Sequence, residues 1–108
     1  MRDGLYRVHF STQLGAGAGT LFVRDGKVWG GDSGMFYVGT VIVDGDKLTA
    51  HVDINRHTSN NGIVSVFGID KAQIRLSGTV SGDDVAAVGT SPQAPGMTFK
   101  ANLNRLSD

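Results

Sequence analysis

Cysteine is absent from the 108 residues. That excludes disulfides and thiolate metal sites, and it fits a reducing compartment without requiring one. Net charge is missing too. Ten basic and ten acidic side chains cancel, so no long-range field draws the chain to nucleic acid or to an anionic membrane. No apolar run approaches transmembrane length, and the opening MRDGLYRVHF holds no signal-peptide core. Convincing helical periodicity is absent from every window longer than ten residues. The only two prolines, Pro92 and Pro95, fall in one short segment. These absences describe a cytoplasmic globular domain over residues 1–108, without a direct nucleic-acid or membrane partner. It is large enough for one core and too small for two.

What is abundant is glycine, sixteen residues spread through the chain rather than gathered into a linker. Closely spaced glycines within strands let a sheet bend sharply, as small barrels require. Period-2 alternation surrounds them. Tyr6, Val8 and Phe10 share one face of a first strand, opposite Arg7, His9 and Ser11. A return strand spans residues 16–24 with Leu21 and Val23 inward. Asp25-Gly26 then reads as a two-residue hairpin, because that turn needs positive φ at its centre. A short strand around Lys27-Val28-Trp29 gives way to a break over residues 30–34. Residues 47–57 alternate most cleanly, with Leu48, Ala50, Val52 and Ile54 on one face. A polar loop at 58–62, a short β run at 63–69 and strands over 72–81 and 85–90 follow. The two prolines mark residues 91–96 as a loop. Met97, Phe99, Ala101 and Leu103 then point inward from the last strand.

Eight or nine short strands joined by tight turns favour an antiparallel meander, since parallel pairs need long crossovers. An open sheet of that kind would expose two edges, and an up-and-down barrel removes them. The expected fold is therefore all-β, a single antiparallel barrel of about eight strands. Large inward residues such as Tyr6, Phe10, Leu48, Ile54, Phe99 and Leu103 suffice to fill it.

One strand breaks the alternation. Over residues 35–43 both parities are apolar: Met35, Tyr37, Val41 and Val43 on one, Phe36, Val38 and Ile42 on the other. One face lines the barrel and the other needs cover. In a chain without a helix to spare, a second copy of the protein is the simplest cover. Phe36, Val38 and Ile42 are thus the expected homodimer interface.

Four motifs carry less than they first suggest. The run Gly15-Ala16-Gly17-Ala18-Gly19-Thr20 lacks the Gly-Lys-Ser/Thr ending and the following helix of a phosphate loop, and reads as a bent strand. Gly31-Asp32-Ser33-Gly34 matches the serine context of trypsin-like proteases over four residues, with only His9 ahead of it. Without a plausible triad, a glycine-lined turn explains it. His51 and Asp53 lie with Asn55 on one strand face, which is a pair of potential ligands and not a metal site. The acidic turns at residues 44–46 and 83–84 lack calcium-loop spacing. No catalytic residue, metal or cofactor is expected.

Several ordered features together resemble the GrlR-type negative regulators of type III secretion. They begin with Asp3-Gly4-Leu5-Tyr6, the Gly/Ala return strand and its hairpin. Gly30-Gly31-Asp32 and Tyr37-x-Gly39 come next, then an acidic turn before Leu48-Thr49-Ala50-His51-Val52. The resemblance covers about the first half in detail and the second half by strand pattern. It implies a lipocalin-like barrel that forms homodimers and holds a transcriptional activator through an exposed acidic hairpin. Here that hairpin reads Val43-Asp44-Gly45-Asp46, which gives the partner-binding role to Asp44 and Asp46. The function so implied is non-enzymatic regulation by binding a protein partner. The alternative is a small-molecule carrier that uses the barrel interior, which would leave room through small inward residues and a few convergent polar groups.

Overall fold

A computed structural model describes residues 1–58 and 70–108. The loop at 59–62 and the β run at 63–69 expected from the sequence lie outside the described residues. Eight strands follow one another: β1 Gly4–Thr12, β2 Gly15–Arg24, β3 Lys27–Gly31, β4 Met35–Asp44, β5 Lys47–Arg56, β6 Lys71–Ser81, β7 Asp84–Thr90 and β8 Phe99–Ser107. Each pairs antiparallel with its sequence neighbours, and β8 pairs back onto β1, closing the barrel. Closure leaves the sheet no unpaired edge over most of its length. No described residue is helical. The break expected at residue 30 begins later, because β3 runs through Gly31.

The turns explain the order. Asp25 and Gly26 both have positive φ, +51° and +77°, which makes a type I′ turn whose twist matches the strands it joins. Gly45-Asp46 and Gly82-Asp83 close β4–β5 and β6–β7 with positive φ at the glycine alone, +63° and +61°, the signature of a type II′ turn. These three hairpins and both chain termini lie at one end of the barrel. The other end holds a fourth two-residue turn, Gln13-Leu14 between the paired Thr12 and Gly15, together with the longer connections.

Interior strand glycines do the bending. A Cβ built on Gly39 would sit 2.1 Å from the His51 carbonyl oxygen, and one on Gly30 would sit 2.2 Å from that of Thr20. Only glycine lets these neighbouring backbones approach so closely.

The alternating residues meet at the centre. Tyr6, Val8, Val23, Leu48, Ile54 and Ile74 are among the buried side chains, so the inward faces read from the sequence are the inward faces of the barrel. Phe10 stacks on Phe99 and meets the edge of Tyr37. These residues do not fill the interior, however. Ala50, Ala87 and Ala101 also point inward, and a cavity of about 270 Å³ remains along the axis.

Candidate functional site

Three regions carry chemistry: the outer face of β1–β4, the tip of the β4–β5 hairpin, and the barrel interior.

On β4, Met35 and Tyr37 are buried while Phe36, Val38 and Ile42 are 39, 42 and 70% exposed. The outward parity expected for those three is the observed one. The sequence reading missed the neighbours that make them a surface. Val38 lies directly across from Trp29, Trp29 from Phe22, and Phe22 from Leu5. One level of the outer wall is therefore apolar across four adjacent strands, with Trp29 itself 44% exposed. Leu5 and Phe22 are half-buried on that same face. The signal was present in the sequence. A two-residue turn at Asp25-Gly26 fixes the register, so Phe22, three residues before it, must face Trp29, three residues after it.

The β4–β5 hairpin overruns its neighbour. The β3–β4 ladder ends at Lys27 opposite Thr40, and residues 42–44 of β4 pair only with β5. This overrun exposes Ile42, Val43 and the turn beyond them. Asp44 and Asp46 are both exposed, and neither side chain has a hydrogen bond or ion pair among the described residues. The β6–β7 turn has the same Gly-Asp geometry and the opposite fate. There Arg2 clamps Asp83 with contacts of 2.7–3.1 Å, and Asn104 donates to Asp84 at 2.8 Å. The Arg2 hydrogen bond and charge hold the Asp83 carboxyl below its usual range. Arg105 similarly lowers Asp108, through an ion pair at the C-terminus.

At the far end, residues 31–35 form a turn organised by Asp32. Its Oδ1 accepts from the Gly34 and Met35 amides at 2.9 and 2.8 Å, and its Oδ2 accepts from the Tyr37 hydroxyl. Burial, and then this bond to a carboxylate, push the Tyr37 phenol far above its ordinary pKa. His57 Nε2 lies 2.9 Å from the Asp32 carbonyl oxygen. A carbonyl can only accept, so Nε2 carries the proton there. The protease-like Ser33 is exposed in this turn, and His9 is on the outer face of β1, away from it. His51 and Asp53 point outward from β5. Among the described residues, no group of three or more potential ligands could hold a metal ion. Gly15 to Thr20 is β2 strand, paired to β1.

The axial cavity runs from Met1 at the hairpin end to Asp32 and Ser33 at the other. Its wall is overwhelmingly apolar, and no described lysine, arginine or histidine lines it. No described helix is long and apolar enough to cross a membrane.

No protein-family model matches the chain, and no curated protein matches it either.

Proposed function

We propose that this protein is a non-enzymatic regulator that dimerises through the outer face of β1–β4 and binds a protein partner through the β4–β5 turn. The observation that carries the partner site is the contrast between two turns of one geometry. Asp83 and Asp84 are tied internally, whereas Asp44 and Asp46 stand on a turn that overruns β3, their exposed side chains without a hydrogen bond or ion pair among the described residues. Two uncommitted carboxylates attract a basic surface and speed its approach. The resemblance of the first half of the chain to GrlR-type negative regulators points to the same turn. It also suggests a transcriptional activator as partner, in the cytoplasm. The apolar row of Leu5, Phe22, Trp29 and Val38, extended by Phe36 and Ile42, supports a second copy as the cover of the outer face.

The test is capture from the native host by the wild-type protein and by a variant carrying Asp44→Asn and Asp46→Asn. Asparagine keeps the turn preference and removes the charge, so stability stays unchanged. A DNA-binding regulator that co-purifies with the wild type, and associates more slowly with the variant at low salt, supports the reading. A partner captured equally by both proteins at every salt concentration reduces the two aspartates to turn residues.

A further inference from the structure

We propose that the barrel interior is a binding site for a small, uncharged, ring-sized or short-chain compound that carries one hydrogen-bond donor. Volume sets the size. A dry apolar cavity of ~150 Å³ takes up benzene, and the interior here is about 270 Å³, which suits a fused bicyclic ring or a chain of similar bulk.

The wall sets the polarity. Val8, Val28, Leu48, Ile74 and Leu103 face the chamber, so its middle can hold only apolar atoms. The single polar station is the Asp32–Tyr37 pair at the end away from the hairpins. The Tyr37 proton is already committed to Asp32 Oδ2, and Oδ1 is occupied by two amides. What remains there are lone pairs, on the phenol oxygen and on the carboxylate. The station therefore accepts a hydrogen bond and has no buried donor to offer in return.

Charge is excluded on both sides. A ligand carboxylate at that station would meet Asp32, and no lysine, arginine or histidine of the described lining stands beside it to neutralise the charge. An ammonium would exchange bulk water for an apolar chamber and one already shared carboxylate. A neutral O–H or N–H satisfies the geometry. The site is separate from the Asp44–Asp46 turn and from the outer apolar row, so its failure leaves the partner-binding reading intact.

A matched set of probes tests this by titration calorimetry. 1-Naphthol is neutral at pH 7 and carries one O–H; 1-naphthoate has the same ring with an anionic head; naphthalene has no head. The expected result is saturable binding of one 1-naphthol per chain and at least tenfold weaker binding of 1-naphthoate. Tyr37→Phe combined with Asp32→Asn removes both acceptors, because the Asn Oδ1 keeps the two amides and an N–H replaces Oδ2; it weakens 1-naphthol by about fivefold, the worth of one neutral hydrogen bond, and leaves naphthalene unchanged. A loss for both ligands in that variant would overturn the polar station, since the two side chains would then only hold the wall in shape. Ala101→Leu fills the chamber and abolishes both. Ala50→Leu does the same from another strand, should the first variant fold poorly. The proposal is overturned if 1-naphthoate binds as tightly as 1-naphthol, or if 1-naphthol shows no binding up to its solubility limit. It is equally overturned if folded Leu variants bind like the wild type.

Discussion

Replacing Gly39 by alanine tests why the barrel closes at all. The added Cβ would lie 2.1 Å from the His51 carbonyl oxygen and 2.8 Å from the Val52 Cα, whereas even close C···O contacts in sheets sit at ~3.3 Å. More than an ångström must be found. The β4–β5 ladder runs unbroken from Met35 opposite Arg56 to Asp44 opposite Lys47, so β5 cannot yield locally without stretching its hydrogen bonds. Overpacking of this kind costs ~1–3 kcal/mol, and one weakened ladder bond adds ~1 kcal/mol. Alanine's advantage over glycine in a strand returns only ~0.5–1 kcal/mol. The net loss is ~1–3.5 kcal/mol, a large share of the ~5–15 kcal/mol typical of a domain. With a urea m-value of ~1.5 kcal/mol/M, the midpoint should fall by ~0.7–2.3 M. Gly45→Ala is the contrast. Its Cβ meets nothing within 4 Å, and only the φ of +63° opposes it, for ~1–2 kcal/mol. A Gly39→Ala midpoint equal to that of the wild type would refute the close-approach reasoning, and so would a larger loss at Gly45.

The two tyrosines, Tyr6 and Tyr37, are both held above their ordinary pKa, chiefly by burial. A raised phenol pKa stabilises the fold fully below the unfolded value of ~10, and the benefit is lost as pH rises from there toward the folded value. Urea unfolding at increasing pH should therefore show stability falling above pH ~10, by up to ~1.4 kcal/mol per pH unit per tyrosine, with the fall reduced in Tyr37→Phe; an unaltered profile in that variant would count against its buried, neutral phenol. Asp83 has the opposite sign: its lowered pKa contributes above the unfolded value near ~4 and is lost as pH falls through the folded one. Both partners are exposed, so Asp83→Asn should alter acid-side melting only slightly, and a large loss at neutral pH would show that the Arg2 clamp holds the chain end more firmly than a surface pair should.

The barrel could be read from the sequence because its two signals are local. Alternation in residues 5–12 and 47–56 fixes which side chains turn inward, and Asp25-Gly26 fixes a register. The outward parity of Phe36, Val38 and Ile42 followed from the same rule. Their neighbours Trp29, Phe22 and Leu5 need one further step, carrying the register across three turns. The cavity was harder to foresee. By size, Tyr6, Phe10, Leu48, Ile54, Phe99 and Leu103 suffice to fill the interior, yet Phe10 and Phe99 stack on each other, and the space beside Ala50, Ala87 and Ala101 depends on how the whole wall curves. The Asp32–Tyr37 station was equally hidden. Gly31-Asp32-Ser33-Gly34 drew attention to its serine, while the aspartate carries the bonds, and its contact with His57 joins segments 25 residues apart.

The claim that a second copy covers the outer face of β1–β4 is met most directly by sedimentation equilibrium over a dilution series, on the wild type and on Val38→Lys. The side chain of Val38 is outward and 42% exposed, so lysine there fits the folded monomer and disrupts only what rests against it. The account predicts a wild-type mass of twice the 11.4 kDa chain at micromolar concentration. It predicts a monomeric variant with an unchanged circular dichroism spectrum and melting temperature. A wild type that sediments as a monomer at those concentrations, or a Val38→Lys variant that remains a dimer, would contradict it.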